Sequence, residues 1–297
     1  MKNNHTNWHG AWAAITTPMK NNKIDTAALI KHTEFLIQNN IDGIVACGTT
    51  GEAATLSTEE KMLVISTVVE TTKNTVPVIA GAGTNDTKTT IELAKAAKNN
   101  GADGLLLVTP YYNKPNQEGL LKHFLQVAEA VELPQIIYNV PSRTVSKAEV
   151  STLARLSEHP NIVGTKDATA DMAFATRTIA ATKPGFLIFS GDDATTLPLM
   201  LIGGHGTISV AANVVPQKIH ELCRLAREKN LENANILNRQ LMDLFQNLFV
   251  ETNPIPVKAI LSKMNLGIEN ELRSPLFPMT NGKLEELIKT SQKYITS

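Results

Sequence analysis

A lysine closes the short β-branched run Asn161-Ile162-Val163-Gly164-Thr165-Lys166-Asp167. Burying an ammonium without a partner is costly, so this residue is poor packing material for a strand. At a strand tip the amine either snorkels out to a carboxylate, or loses its proton and becomes a nucleophile. Other chemistry-bearing residues stand just past other apolar runs, in Gly48-Thr49-Thr50-Gly51-Glu52, Thr109-Pro110-Tyr111-Tyr112-Asn113, Tyr138-Asn139-Val140-Pro141-Ser142-Arg143 and Ser190-Gly191-Asp192. A phenol such as Tyr138 beside an amine suits proton transfer to and from a carbinolamine. Tyrosine ionises near ~10 when unperturbed, so it needs a hydrogen-bonded chain at neutral pH, for which Thr49 and Tyr112 are available. The amides and hydroxyls of residues 48–51, ahead of a helix, offer a cradle for one carboxylate, and Arg143 can clamp a second. Two carboxylate sites around an imine-forming Lys166 describe a 2-oxo acid condensing with another acidic substrate.

Taken singly, each residue has a plainer role. Thr49 and Thr50 are turn formers, Tyr111 and Tyr112 a rim or interface pair, and Arg143 half of a surface ion pair worth at most ~1 kcal/mol. Glu52 reads as a structural carboxylate, Asp192-Asp193 as a helix cap and His205 as packing in a glycine-rich turn. Asp167 reads as a structural neighbour of Lys166 rather than a base. What favours chemistry is convergence on one rim.

Such convergence needs a fold that gathers strand ends. Eight apolar runs without polar alternation, 13–17, 43–47, 76–80, 104–109, 135–140, 161–166, 186–190 and 206–210, fit parallel strands buried on both faces. Between them, 25–39, 87–99, 117–130, 170–181, 194–202 and 216–228 read as helices. Ser57-Thr58-Glu59-Glu60 and Ser146-Lys147-Ala148-Glu149 read as capping boxes opening two more, and Gly43 and Gly101 as stop signals after Asn-rich helix ends. Eight strand–helix units in about 225 residues match a (β/α)8 TIM barrel, whose active site lies at the C-terminal strand ends. A doubly wound sheet would show a Gly-rich phosphate turn after its first strand, where this chain has Thr16-Thr17-Pro18. Neighbouring strands 5 and 6, about 4.8 Å apart, put Tyr138 and Ile136 at the parity facing Ile162, Gly164 and Lys166, with Gly164 leaving space below the lysine.

Beyond residue 229 the pattern turns helical. Segment 231–250 carries Leu237, Leu241, Leu244, Phe245 and Leu248 on one side, Pro254 and Pro256 open a helix through Leu261, and 284–294 gives a last one. The expected organisation is a catalytic barrel over 1–229 with a C-terminal helical appendage over 230–297.

Lys plus Arg and Asp plus Glu both number 28 in 297 residues, so the formal charge is zero and nucleic acid or an anionic membrane is not an expected partner. No run approaches the ~18 apolar residues of a membrane span, and the patch at 11–17 is too short for a signal peptide. Cys47 and Cys223 lack metal-ligand spacing and read as reduced, buried thiols. A cytoplasmic protein is expected.

The site residues resemble those of the pyruvate-dependent class I lyases and aldolases of the N-acetylneuraminate lyase superfamily. The resemblance covers nearly the whole chain. It is carried by the loops at 48–52, 109–113, 138–144, 164–167 and 190–193, together with Val78-Ile79-Ala80-Gly81 and Asn253-Pro254-Ile255-Pro256. It is strongest to the branch that condenses pyruvate with L-aspartate-4-semialdehyde to 4-hydroxy-tetrahydrodipicolinate in diaminopimelate and lysine biosynthesis. It implies that Lys166 forms a Schiff base with pyruvate, and that Tyr138 is the proton donor and acceptor. Thr49 would link Tyr138 to Tyr112, which would come from the neighbouring subunit of a tight dimer. Thr50 would hold the pyruvate carboxylate, Arg143 the carboxylate of the semialdehyde, and Gly191 and Ile208 would line the pyruvate site. No metal or organic cofactor is implied, because the lysine imine is itself the electron sink. The implied assembly is a homotetramer of two tight dimers, or a dimer. The alternative is a pyruvate-dependent sugar-acid aldolase, whose aldehyde has no carboxylate for Arg143. Asn85 and Tyr111 match a regulatory L-lysine site at the tight interface. Thr58 and Lys61 stand where that site has histidines, and Thr89 where it has a glutamate, so weak or absent lysine feedback is expected.

Overall fold

Among residues 5–295, which the computed structural model describes, eight parallel strands close into a barrel. They are β1 (Gly10–Ala14), β2 (Gly43–Ala46), β3 (Val78–Gly81), β4 (Gly104–Val108), β5 (Gln135–Asn139), β6 (Ile162–Asp167), β7 (Leu187–Ser190) and β8 (Gly206–Ser209). Each pairs with the next in sequence, and β8 closes on β1. Nearly every strand residue is buried, which is why the runs show no polar alternation. The expected TIM barrel is the observed fold.

Helices Thr26–Gln38, Thr58–Thr72, Thr87–Asn99, Gln117–Ala130, Val150–Ser157, Met172–Ala181, Thr196–Leu201 and Pro216–Arg227 cross back over the outside. Four begin where Asp25, Asp86, Asn116 or Asp171 accepts a free amide of the first turn. The Ser57–Glu60 capping box is present in full. The one expected at Ser146 is not: its hydroxyl donates to Pro110 O at 2.7 Å, and the helix starts at Val150 behind Glu149. A tertiary hydrogen bond that fastens two rim loops has displaced a local one.

Other expectations are corrected in detail. The first strand is Gly10–Ala14 rather than 13–17, because Gly10 pairs with Gly206 while Thr16 and Thr17 leave the ladder. The Thr16 amide goes to Asn213 Oδ1 and the Thr17 hydroxyl to Gly51 O. A two-stranded hairpin, Met19–Lys20 with Lys23–Ile24, follows unforeseen; its signal is Asn21-Asn22, whose φ of 53° and 59° suits a primed hairpin turn. After the first helix it is Asn40, at φ 60°, that takes the left-handed position, while Gly43 begins β2. Gly101, at φ 87°, does end its helix as expected.

The barrel interior is a separate apolar layer. Trp12, Val45, Ile79, Leu106, Ile136, Tyr138, Phe189 and Ile208 face inward, while a larger layer fills the space between strands and helices. Trp8, Trp12 and Phe189 stack edge to face, with centroids 5.2 and 5.8 Å apart. Helices Leu231–Asn247, Ile255–Leu261 and Asn281–Ile295 follow, and no strand follows β8 among the described residues. Residues 1–4 of the polar N-terminus lie outside the described residues.

Candidate active site

Two lysines are buried among the described residues, and their surroundings differ. Lys258, fully buried, sits 2.5 Å from Glu52 Oε1. Lys166, 6% exposed, has no ion-pair or hydrogen-bond partner among the described residues, and Asp167 beside it accepts from the Thr169 amide instead. The Lys166 amine lies over the face of the Tyr138 ring, 4.4 Å from its centroid. The pairing of β5 with β6 sets this up, placing Tyr138 opposite Lys166 and Asn139 opposite Asp167; β7 puts Phe189 on the other side. A salt-bridged, snorkelling lysine is therefore not what the fold builds. Burial pushes the Asp167 carboxyl above the usual range, in keeping with a structural neighbour.

The parity expected for β6 needs correcting. Pairing slips between Gln135 and Ile136, so that Gln135 faces Ile162 and Ile136 faces Gly164. A bulge at Val163 absorbs the extra residue, turning Ile162 to the outer layer and Val163 inward while keeping Lys166 inside. Nor is there free space at Gly164: a Cβ there would lie 2.5 Å from Leu187 O and 2.8 Å from Leu187 Cβ. The room for the lysine comes from Gly191, where a Cβ would meet Lys166 Cε at 3.0 Å and Ala168 Cβ at 2.7 Å. Ile208 is buried in the same inner layer.

The loop after β2 is drawn tight by its own backbone. The Gly51, Glu52 and Ala53 amides bond to Gly48 O, Thr49 O and Gly48 O, leaving those of Thr49 and Thr50 without partners among the described residues. A single 3-10 turn follows, and the α-helix begins only at Thr58, so the cradle does not stand at its N-terminus. Thr50 is buried and its hydroxyl accepts from Asn253 Nδ2 at 3.0 Å, which leaves its proton to donate elsewhere. Thr49 is half-buried beside it.

Arg143 stands exposed on the single turn Pro141–Thr144, anchored by the Thr109, Thr144 and Ser146 hydrogen bonds. Its Nη2 donates to Asn253 O at 3.2 Å and it joins no ion pair among the described residues, unlike a surface salt-bridge arginine. Asn253 thus touches both the Thr50 hydroxyl and the Arg143 guanidinium, a link that sequence reasoning did not assign. Its signal was present in the Asn253-Pro254-Ile255-Pro256 segment, where a polar residue precedes an apolar helix.

Tyr112 is not brought to Lys166 within one chain. It is 90% exposed at the tip of the β4 loop, in the left-handed region at φ 73°. Tyr111 is exposed as well, and Asn113 of the same loop donates to Asn85 O at 2.7 Å, joining the loops after β3 and β4. Thr89 donates by amide and hydroxyl to Asp86 Oδ1. Asp192 caps a 3-10 turn through the Thr195 amide, whereas Asp193, also expected as a cap, is buried and bound by Ser209, Val210 and Ala211 across to the β8 end. His205 Nδ1 accepts the Ile188 amide, a packing role.

The model of the dihydrodipicolinate synthetase family matches residues 7–294. A 4-hydroxy-tetrahydrodipicolinate synthase of Nitrosospira multiformis is 49% identical over 273 residues, covering 92% of this chain and 91% of that one. A chloride-inhibited dihydrodipicolinate synthase of Acinetobacter baumannii, solved with pyruvate, shares 46% identity at a TM-score of 0.94, covering 96% and 98% of the two chains. A monomeric dihydrodipicolinate synthase variant superposes with a TM-score of 0.95 at 40% identity, covering 97% of each.

Proposed function

The chain belongs to the dihydrodipicolinate synthetase family, and on that premise we propose how its residues carry the reaction. It is a lyase that condenses pyruvate with L-aspartate-4-semialdehyde to 4-hydroxy-tetrahydrodipicolinate, in lysine and diaminopimelate biosynthesis. Lys166 Nζ adds to the pyruvate ketone carbon, and Tyr138 delivers the proton with which the carbinolamine oxygen leaves as water. The imine loses a methyl proton, and the resulting enamine carbon attacks the aldehyde, whose oxygen takes up a proton. The semialdehyde nitrogen then attacks the imine carbon, closing the ring and releasing the Lys166 amine. Thr50 donates to the pyruvate carboxylate, Arg143 clamps the semialdehyde carboxylate at the rim, Gly191 leaves the lysine its path, and Ile208 forms the apolar wall.

The observation that carries this assignment is the buried Lys166 amine, without an ion-pair partner among the described residues and set on the Tyr138 ring. Arg143, free of any ion pair among the described residues, supports a carboxylate-bearing aldehyde over a sugar aldehyde. We infer that Tyr112 completes the relay through Thr49 in a neighbouring copy, since in its own chain it projects into solvent. A tight dimer follows, and a tetramer of two such dimers is the assembly proposed. A cytoplasmic location is proposed from the biosynthetic role of the relatives; no helix of the described residues is long and apolar enough to cross a membrane. Offering pyruvate with either L-aspartate-4-semialdehyde or a sugar aldehyde tests the substrate assignment. Turnover is expected with the former, and faster turnover with the latter would overturn it.

A further inference from the structure

Glu52 lies at the heart of a buried charged cluster outside the reaction itself. One oxygen meets Lys258 Nζ at 2.5 Å and the other accepts the Arg273 amide at 3.0 Å. Lys258 also donates to Thr17 O at 3.0 Å. Outside them the Arg273 guanidinium donates to Thr55 O and grips both oxygens of Glu60, at 2.7 and 2.8 Å. Glu60 in turn belongs to the capping box of Thr58–Thr72. The cluster therefore ties together the segment after β1, the β2 loop and the helix Ile255–Leu261.

Glu52 adopts φ 55°, a left-handed conformation that a side chain disfavours and that surrounding contacts must hold. The loop is pinned at three successive residues: Thr50 by Asn253, Gly51 by the Thr17 hydroxyl, and Glu52 by Lys258 and Arg273. Asn253 stands two residues before the helix Ile255–Leu261 and Lys258 lies within it, so the residue touching Thr50 and the residue holding Glu52 belong to one short stretch of chain. Buried ion pairs add little stability over apolar residues of equal volume, and their best use is to select one arrangement. Here the arrangement selected is that of the Thr50 hydroxyl.

We propose that the Glu52–Lys258 pair is a positioning device for the 2-oxo acid: it fixes the Thr50 hydroxyl against the pyruvate carboxylate, and so sets affinity for pyruvate rather than the rate of carbon–carbon bond formation. The proposal rests on the assignment of Thr50 to that carboxylate, and the test separates the two.

The test uses the full chain carrying Glu52→Gln with Lys258→Met, which leaves no lone buried charge, Thr50→Val, and the combination of all three changes. The readouts are the pyruvate concentration for half-maximal borohydride trapping on Lys166, kcat at saturating pyruvate, and thermal melting. Loss of a hydrogen bond to a charged group predicts a rise of roughly tenfold to a hundredfold in half-saturation for Thr50→Val. The pair variant is expected to shift half-saturation about tenfold with trapping still complete and kcat within about threefold, and the combined variant to trap like Thr50→Val alone. A folded pair variant that traps at the wild-type pyruvate concentration, while Thr50→Val is shifted, overturns the positioning role. So does a combined variant whose two shifts multiply. An unshifted Thr50→Val instead overturns the carboxylate assignment and the proposal with it. Should the pair variant fail to fold, Glu52→Gln with Lys258→Gln, which also leaves no lone buried charge and keeps two side chains able to hydrogen-bond, is read by the same criteria.

Discussion

Replacing Gly191 with alanine probes the space through which the reactive lysine reaches the barrel mouth. Its φ is not in the left-handed region, so the added methyl acts through volume and not through backbone strain. That methyl would sit 2.7 Å from Ala168 Cβ and 3.0 Å from Lys166 Cε. Carbons pack at ~3.5–4.0 Å, so the groups must part by roughly half an ångström to one ångström. Overpacking of this kind costs about 1–3 kcal/mol of stability. The larger effect falls on chemistry, because displacing a reacting group by about 1 Å lowers rate by ~10²-fold, or ~2.7 kcal/mol of transition-state free energy. Gly191→Ala should therefore lower kcat/KM by about two orders of magnitude while still folding. The assay is steady-state turnover alongside borohydride trapping and thermal melting. Gly185→Ala is the matched control: at φ 86° with nothing within 4 Å of its Cβ, it should lose ~1 kcal/mol of stability and keep its kcat. Wild-type kcat/KM in Gly191→Ala would refute the claim that this glycine makes room for the lysine.

Three further outcomes are expected. Arg143→Ala should raise KM for the semialdehyde tenfold or more, as loss of a charged hydrogen-bonding partner does, and leave pyruvate trapping unchanged; a shift in the trapping concentration would contradict its placement. Burial pushes His32 and His123 down to about 4, below the unfolded value near ~6.5, so the unfolded chain binds protons that the folded one refuses. Their stabilising contribution is complete above pH ~6.5 and lost as pH falls toward ~4, at about 1.4 kcal/mol per histidine per pH unit; flat urea midpoints between pH ~6.5 and ~5 would contradict it. L-Lysine should inhibit weakly or not at all, because Thr89 offers no carboxylate of its own and Lys61 adds a like charge; inhibition at sub-millimolar lysine in a turnover assay would sink that expectation.

The barrel was legible because strands buried on both faces show no polar alternation: the eight runs are mainly apolar, and polar residues within them such as Gln135, Asn139 and Lys166 are buried as well. Lys166 and Tyr138 were legible for a related reason: strand ends in a barrel share a rim, and pairing of neighbouring strands sets which side chains meet. What escaped was non-local. The bulge at Val163 is a property of how two strands pair, with no mark on either strand alone. Ser146 carries a capping-box pattern, yet its hydroxyl finds Pro110 O, 36 positions away. Glu52 and Lys258 are separated by 206 positions, so their pairing has no local signature. A signal was nonetheless present, a lysine inside the apolar segment Ile255–Leu261, of the same kind that drew attention to Lys166. Tyr112, exposed in its own chain, was assigned to a neighbouring copy by the family resemblance alone and not by its own residues and spacing.

The central claim is that Lys166, and not the still more deeply buried Lys258, forms the imine. Incubation with pyruvate and borohydride, followed by peptide mapping of the added mass, tests it directly. A single adduct on the peptide containing Lys166, absent without pyruvate and absent in Lys166→Met, is the result expected. No adduct, or one carried by any other lysine, would contradict it.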